Sequence, residues 1–350
     1  MRLGMLGAAW IGPMGLIEPA KEVEGVEVTA VAARDPQRAR DYATEHGIPL
    51  VFDCYDALLA SNEIDAVYNP LPNSHHARWT IAALESGKPV LLEKPFTANA
   101  DEARRVAGAA EQTGLVVMEA YHWRFHPQAD RAIDLVAEGA VGEVAHVEAA
   151  MVFPSMHGPD DIRYRYDLAG GALMDTGSYA LSNLRAFGEL DVLRAEAEEM
   201  APDVDVRMTA ELRYRDAEAT ASITSAFTGT GQKAELGDPD ADDLNAGDPA
   251  AFDFEFQAEV VVTGSKGRLH IDNPLAPMWG SGLTVSDQDG ATVLHEAAEQ
   301  VATYTCQLRA FKACVEDGGP NLYPPSESIK TMELVDAVYR AAGLPVRVGI

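Results

Sequence analysis

The chain has 350 residues, enough for two domains, and its 47% hydrophobic and 23% charged content is that of a folded globular protein rather than a disordered one. With 55 acidic against 27 basic residues it carries a formal charge of -28, which excludes nucleic acid and anionic membranes as partners and confines any anion site to a local cluster of cations. Cys54, Cys306 and Cys314 are odd in number and lack metal-ligand spacing, so reduced thiols in a cytoplasmic protein are expected, without a disulfide.

Residues 3–17 are largely apolar, but five of them are Gly or Pro and no A-x-A cleavage signal follows, so a secretory leader is not expected. No stretch has the length and apolarity of a membrane span. Instead, Leu3 to Leu6 reads as a strand, followed at once by Gly7, Ala8, Ala9, Trp10, Ile11 and Gly12 and then a helix to about Val23. This is a G-x-A-x-x-G variant of the dinucleotide fingerprint, in which the turn and the helix start approach a pyrophosphate. Ala9 places a methyl group where the usual second glycine lets the phosphate come closest.

Val26 to Ala32 is the next apolar run, and the residues after it choose between cofactors. Ala33 followed by Arg34 favours NADP, because a guanidinium binds a 2′-phosphate in bidentate fashion. Asp35 keeps NAD open, as does a reading in which Arg34 and Asp35 only begin the helix at Pro36. Helix and strand then alternate: a helix to Glu45, a strand near Val51, a helix from Tyr55, the strand Ala66 to Tyr68, and a helix from His76 to Glu85. Adjacent His75 and His76 point different ways on a helix and have no third ligand nearby, so no metal is expected.

Pro89 to Leu92 is an apolar run that reads as a strand buried on both faces, with Glu93, Lys94 and Pro95 at its carboxyl end. Ligand crevices of open α/β sheets lie at those ends, which makes Lys94 a candidate proton-handling group; the alternative is an ion pair facing water. Asn99 and Glu102 open a helix through Gln112, and Val116 to Glu119 is a further strand. Tyr121, Trp123, Arg124 and Phe125 emerge from its end and look like a pocket wall, with His122 and His126 as pocket or core. The first domain is expected to close near residue 120, leaving 121–350 as a substrate-binding and oligomerisation domain.

In the second half, residues 206–215 alternate, with Val206, Met208, Ala210, Leu212 and Tyr214 on one face, and Phe252 to Val260 repeat the scheme. A mainly antiparallel sheet follows, with one apolar face for helices and one polar face for water or another subunit. Gly229 to Ala251, rich in Gly, Asp and Pro, reads as a long mobile loop; residues 301–317 and 326–342 read as closing helices. Within Gly170 to Tyr179, Asp175 and Tyr179 are four apart and share one face if the stretch is helical. A phenol acts as a base near neutrality only if a cation favours the phenolate, and Lys94 is the candidate; the alternative is a capped surface helix.

The Gly7–Gly12 turn, Glu93-Lys94-Pro95, Met118-Glu119-Ala120, Arg124-Phe125-His126-Pro127 and the Gly-Gly-Ala-Leu-Met-Asp-x-Gly-x-Tyr run resemble the glucose-fructose oxidoreductase / inositol dehydrogenase / rhizopine catabolism (Gfo/Idh/MocA) family. Many members carry His where this chain has Tyr179; tyrosine is similar to the branch of dihydrodiol and NADP-dependent xylose dehydrogenases. The resemblance implies an α/β protein: an N-terminal Rossmann domain plus a C-terminal α+β domain with a large open sheet, often used to form dimers or tetramers. It also implies cofactor contacts at Leu71, Pro72, Asn73, His76, Glu93, Lys94, Trp123 and Arg124, substrate contacts at Tyr121, Phe125, Arg163, Asp175 and Tyr179, and a cis Lys94–Pro95 bond. The activity it implies is oxidation of a hydroxyl of a neutral sugar or cyclic diol with NADP, Tyr179 taking the proton, Lys94 lowering the tyrosine's pKa and Asp175 orienting a neighbouring hydroxyl. A non-catalytic NADP-binding sensor, and a redox-neutral enzyme that retains its nucleotide, are the alternatives.

Overall fold

A computed structural model describes residues 1–154, 161–228 and 256–350. Its first sheet has six strands, β1 (Arg2–Leu6), β2 (Glu27–Ala32), β3 (Leu50–Phe52), β4 (Ala66–Asn69), β5 (Val90–Leu92) and β6 (Val117–Glu119). Every pairing is parallel and the order is β3-β2-β1-β4-β5-β6. The order reverses between β1 and β4, which opens a crevice at their carboxyl ends, beside Gly7 and Asn69. Helices α1 (Glu18–Glu22), α2 (Pro36–His46), α3 (Tyr55–Leu59), α4 (His76–Glu85) and α5 (Ala100–Thr113) connect the strands. Leu3, Met5, Val67, Val90, Leu91 and Leu92 have no exposed surface, as expected of strands covered on both faces.

Helix α6 (Pro127–Ala137) leads into the second sheet, built from β7 (Val144–Pro154), β8 (Leu190–Ala201), β9 (Val204–Tyr214), β10 (Thr220–Thr228), β11 (Gln257–Gly264), β12 (Gly267–Asp272), β13 (Gly282–Asp287) and β14 (Thr292–Ala297). The order is β14-β13-β12-β11-β7-β10-β9-β8, antiparallel except where β7 and β10 run parallel. Along β9, Met208, Ala210, Leu212 and Tyr214 are buried, while Glu211 and Arg213 face out. Each fully buried leucine of such a face contributes about 1.5–3 kcal/mol. Helix α7 (Ser178–Arg185) lies against that apolar side, held in part by the Tyr214 hydroxyl donating to Leu184 O at 3.0 Å. The strand expected from Phe252 is described only from Gln257, with Phe256 exposed just ahead of it; the loop expected over Gly229 to Ala251 lies outside the described residues.

The closing helices are α8 (Thr303–Asp317) and α9 (Pro325–Ala341). Leu308, Phe311 and Cys314 of α8 share a core with Leu3, Met5, Tyr68, Leu91 and Met118. Although α8 lies in the 121–350 stretch expected to form the second domain, it returns to cover the first sheet. No helix of the described residues is long and apolar enough to cross a membrane.

Candidate active site

Lys94 lies two residues past the end of β5, and the Lys94–Pro95 peptide bond is cis. Its ammonium donates to Asp175 Oδ1 at 2.6 Å and to Asp175 O at 3.0 Å, and stands 4.8 Å from the centre of the Tyr179 ring. Asp175 and Tyr179 reach this point because Gly170 to Tyr179 turns inward: a wide π-type turn at Leu173–Gly177 runs straight into α7. Such turns bulge a helix where side chains must be aimed at a site. The start of the turn is pinned by Asp205, whose carboxylate accepts from Leu173 N at 2.7 Å, and by Gly171, at φ 127°. A Cβ on Gly171 would lie 2.2 Å from Asp205 Oδ1, so only glycine fits.

Asp175 also accepts from Arg163 Nε at 2.7 Å, and Arg163 is steadied by Asp161 at 3.1 Å. Burial would raise the Asp175 pKa, but Arg163 and then Lys94 outweigh it and hold the carboxyl well below its usual range. The site thus contains a carboxylate shared between two cations. Tyr179 behaves oppositely to expectation: burial, followed by Tyr304, Glu93 and Asp175, holds the phenol well above its ordinary pKa. Lys94 sits over the ring face with two of its donors engaged by Asp175, so it does not by itself create a phenolate in this state.

At the first strand end, Gly7 adopts φ 94° and its N–H donates to Ala32 O at 2.6 Å, closing the turn after β1. Leu71 lies over it; a Cβ on Gly7 would be 3.1 Å from Leu71 Cδ2. Arg38 of α2 reaches back to Ala8 O at 2.9 Å, and the Tyr42 hydroxyl donates to Ala9 O at 3.1 Å, bracing the Ala8-Ala9 backbone from below. Trp10 is 54% exposed at the rim of the crevice. Arg34 and Arg38 are exposed beside Tyr55, and Arg34 and Arg78 both depress the pKa of His75, after burial. Four basic side chains thus converge beyond β2 in a molecule of charge -28.

Residues 1–121 match the oxidoreductase family described as having an NAD-binding Rossmann fold, and residues 130–270 match the GFO/IDH/MocA C-terminal domain. The chain belongs to the Gfo/Idh/MocA family of oxidoreductases. It is 38% identical to D-xylose 1-dehydrogenase (NADP(+)) 2 of Haloferax volcanii, covering 98% of this chain and 97% of the relative. It is 33% identical to dTDP-3,4-didehydro-2,6-dideoxy-alpha-D-glucose 3-reductase of Streptomyces violaceoruber, covering 98% and 96%. The 3-ketoreductase KijD10 of Actinomadura kijaniata, solved with NADP and TDP-benzene, superposes with a TM-score of 0.83 at 29% identity, covering 97% of each chain.

Within this Gfo/Idh/MocA oxidoreductase, several residues expected to touch ligands are engaged elsewhere. His76 is fully buried, with Nδ1 2.8 Å from Pro95 O and Nε2 2.6 Å from Leu71 O, so it ties the β4–α4 loop to the lysine turn rather than reaching a cofactor. Asn73 donates to Ala169 O at 2.9 Å and bridges the two domains. Pro72 precedes it in the same loop, half-buried. Asp35 caps α2, its Oδ1 accepting from Gln37 N at 2.8 Å. Glu93 is buried and accepts from the Tyr68 hydroxyl at 2.7 Å, so it supports the turn from behind. Trp123 donates to Ser182 at 3.0 Å inside the core, and Arg124 pairs with Asp130 at 2.6 Å. Tyr121 lies fully buried behind Tyr179, ring centres 5.4 Å apart, and Phe125 packs between the two cores. Missing from the sequence reading were Arg38 and Tyr304; His122, expected as pocket or core, stacks on Tyr304 at 4.0 Å and meets Tyr179 edge-on at 5.5 Å.

Proposed function

We propose that the protein is an NADP-dependent dehydrogenase that oxidises a hydroxyl group of a neutral sugar or cyclic diol. The observation that carries this reading is the meeting of Lys94, Asp175 and Tyr179, drawn from two domains, at the carboxyl edge of a Rossmann sheet. NADP, when bound, supplies the hydride acceptor. Backbone groups of Gly7, Ala8, Ala9, Trp10 and Ile11 would hold its pyrophosphate, with Ala33 leaving room beside them, and Arg34, Arg38 and Arg78 its 2′-phosphate. The closed Gly7 turn and the unusual concentration of arginines in an acidic chain fit that group. Tyr179 exchanges a proton with the substrate oxygen, Lys94 holds that oxygen and offsets its developing charge, and Asp175 fixes Lys94.

A polyol is favoured over an anionic substrate because Asp175 occupies both nearby cations and keeps the local charge balanced. The polar face of the second sheet is the surface we assign to a second copy of the chain. NADP reduction is to be screened with D-xylose, D-glucose and trans-diols. Lys94→Ala should reduce turnover by about 100-fold or more with NADP affinity retained. Unchanged turnover in that variant, on a substrate the native protein oxidises, defeats the assignment.

A further inference from the structure

Ala169 is fully buried and adopts φ 57° and ψ 44°, the left-handed conformation, although it carries a Cβ. An L side chain is strained there, and such a residue persists only where its surroundings over-determine it. Part of the hold is local. Ala169 N donates to Tyr166 O and Gly170 N to Arg165 O, both at 2.9 Å, and Gly171 N donates to Arg163 O at 2.8 Å. The rest comes from elsewhere in the chain: Asn73 Nδ2, in the first domain, donates to Ala169 O at 2.9 Å, and Arg347 Nε donates to the next carbonyl, Gly170 O, at 2.7 Å.

Both ends of the Asn73 bridge lead to the site. Beyond Ala169, Asp175 N donates to Gly171 O at 3.1 Å, and the Asp175 carboxylate accepts from Lys94 Nζ at 2.6 Å and from Arg163 Nε at 2.7 Å. A shift of the Ala169–Gly171 backbone is therefore passed, through one turn, to the carboxylate that anchors Lys94. On the other side, Asn73 opens the single turn Asn73–His75 after β4. Leu71 in the same loop lies over the Gly7 turn, and His76 joins Leu71 O to Pro95 O, next to Lys94. The loop is itself braced, with His75 N donating to Pro72 O at 2.8 Å and Leu71 N to Asn69 Oδ1 at 3.3 Å. One side chain thus ties the loop beside the first-domain crevice to the turn that brings in Asp175 and Tyr179.

We propose that Asn73 is a positioning residue for the oxidoreduction: by holding Ala169 in its left-handed conformation, it fixes the Asp175–Tyr179 turn of the second domain on the loop that borders the crevice of the first. Asn73 moves no proton, and its amide is spent on Ala169 O and not on the cofactor. Glycine adopts the left-handed conformation without support, so the bridge matters less when residue 169 is glycine. The proposal rests on the dehydrogenase reading of Lys94, Asp175 and Tyr179, and its test includes a readout that needs no turnover.

The experiment compares native protein, Asn73→Ala, Asn73→Asp, Ala169→Gly, the Asn73→Ala/Ala169→Gly double variant and Lys94→Ala. It measures kcat with NADP and whichever of D-xylose, D-glucose or a trans-diol the native protein oxidises, NADP affinity by quenching of protein fluorescence, and hydrogen–deuterium exchange over residues 170–177. Asn73→Ala should lower kcat by about 3- to 10-fold, the weight of one neutral hydrogen bond, and speed exchange over 170–177, with NADP affinity kept within about twofold. In the Ala169→Gly background the same change should cost less than about twofold in kcat. Asn73→Asp sets an acceptor against Ala169 O and should lose more than Asn73→Ala, which keeps the test open if a water replaces the missing amide. Exchange that does not change, kcat that does not change, a loss of NADP affinity in place of kcat, or an equal loss in both backgrounds overturns the proposal. Unchanged turnover by Lys94→Ala instead overturns the dehydrogenase reading beneath it and leaves the exchange result standing.

Discussion

Arg347 and Asp205 form an ion pair with no exposed side-chain surface on either partner, and replacing Arg347 by methionine should be the most damaging single change outside the site. The guanidinium donates to Asp205 Oδ1 at 2.8 Å and to Gly170 O at 2.7 Å, and its ring-facing side packs 4.0 Å from the centre of Tyr339. Methionine fills much of the volume but leaves Asp205 buried with only Leu173 N and the Tyr339 hydroxyl as donors. Breaking one half of a buried pair costs about 3–5 kcal/mol, because the remaining charge stays desolvated. At about 2–4 °C per kcal/mol for a domain of this size, the melting temperature should fall by roughly 6–20 °C. Because Asp205 holds the start of the turn that carries Asp175, kcat should fall at temperatures where the variant is still folded. Adding Asp205→Asn to Arg347→Met removes the stranded charge and should restore a large part of the stability. Thermal unfolding of the three proteins measures this; a single variant within about 2 °C of native would show that the buried pair is not stabilising the second domain.

Arg34→Ala should weaken NADP binding by roughly 10- to 100-fold, the cost of a charge-assisted phosphate contact, and leave NAD binding nearly unchanged; equal losses for both cofactors would remove Arg34 from the 2′-phosphate site. Glu119 is fully buried, and burial, opposed by Ser328, the Phe96 N–H, Arg185 and Tyr121, raises its pKa from 4.5 to about 8. The folded protein therefore keeps a proton that the unfolded chain releases, so this group lowers stability as pH rises from about 4.5 to about 8. Glu119→Gln should gain stability relative to native at pH 8 compared with pH 5, measured by urea unfolding; a difference that does not vary with pH contradicts the protonated state. A formal charge of -28 repels itself at low ionic strength, so moving from roughly 0.01 M to 1 M NaCl, where the Debye length drops from about 30 Å to 3 Å, should raise the melting temperature. A flat or falling melting curve would mean that specific ion pairs outweigh the diffuse repulsion.

Local pattern made the fold readable. The run Val90-Leu91-Leu92 bounded by glycine and proline can only be comfortable as a covered strand, and the alternation from Met208 to Tyr214 can only bury one side of a sheet. The position of Lys94 was legible for the same reason, since a strand end fixes where the residues after it emerge. Residues near strand ends were harder to place. His76, Asn73 and Trp123 look available in sequence, but each is engaged by a carbonyl or hydroxyl contributed by another segment. Nothing local reveals such a partner: Asn73 and Ala169 are separated by 96 positions.

The same distance hid Tyr304. At the start of an amphipathic helix, with Leu308 and Phe311 following at helical spacing, it looks like another core aromatic, and by burial it is one. Its place beside the site depends on α8 crossing back to the first domain, where it stacks at 4.0 Å on His122, whose ring meets Tyr179 edge-on. Lys94 shows the same limit: Asp175, expected to orient a substrate hydroxyl, also accepts a hydrogen bond from the lysine at 2.6 Å across 81 positions of sequence. With two of its three donors on Asp175, Lys94 stabilises charge over the Tyr179 ring face and keeps one donor for a substrate oxygen. The long return of the chain after β14 closes the other side of this place through Tyr304 and His122, and a segment arriving from so far along the chain leaves no local mark near Lys94 or Tyr179.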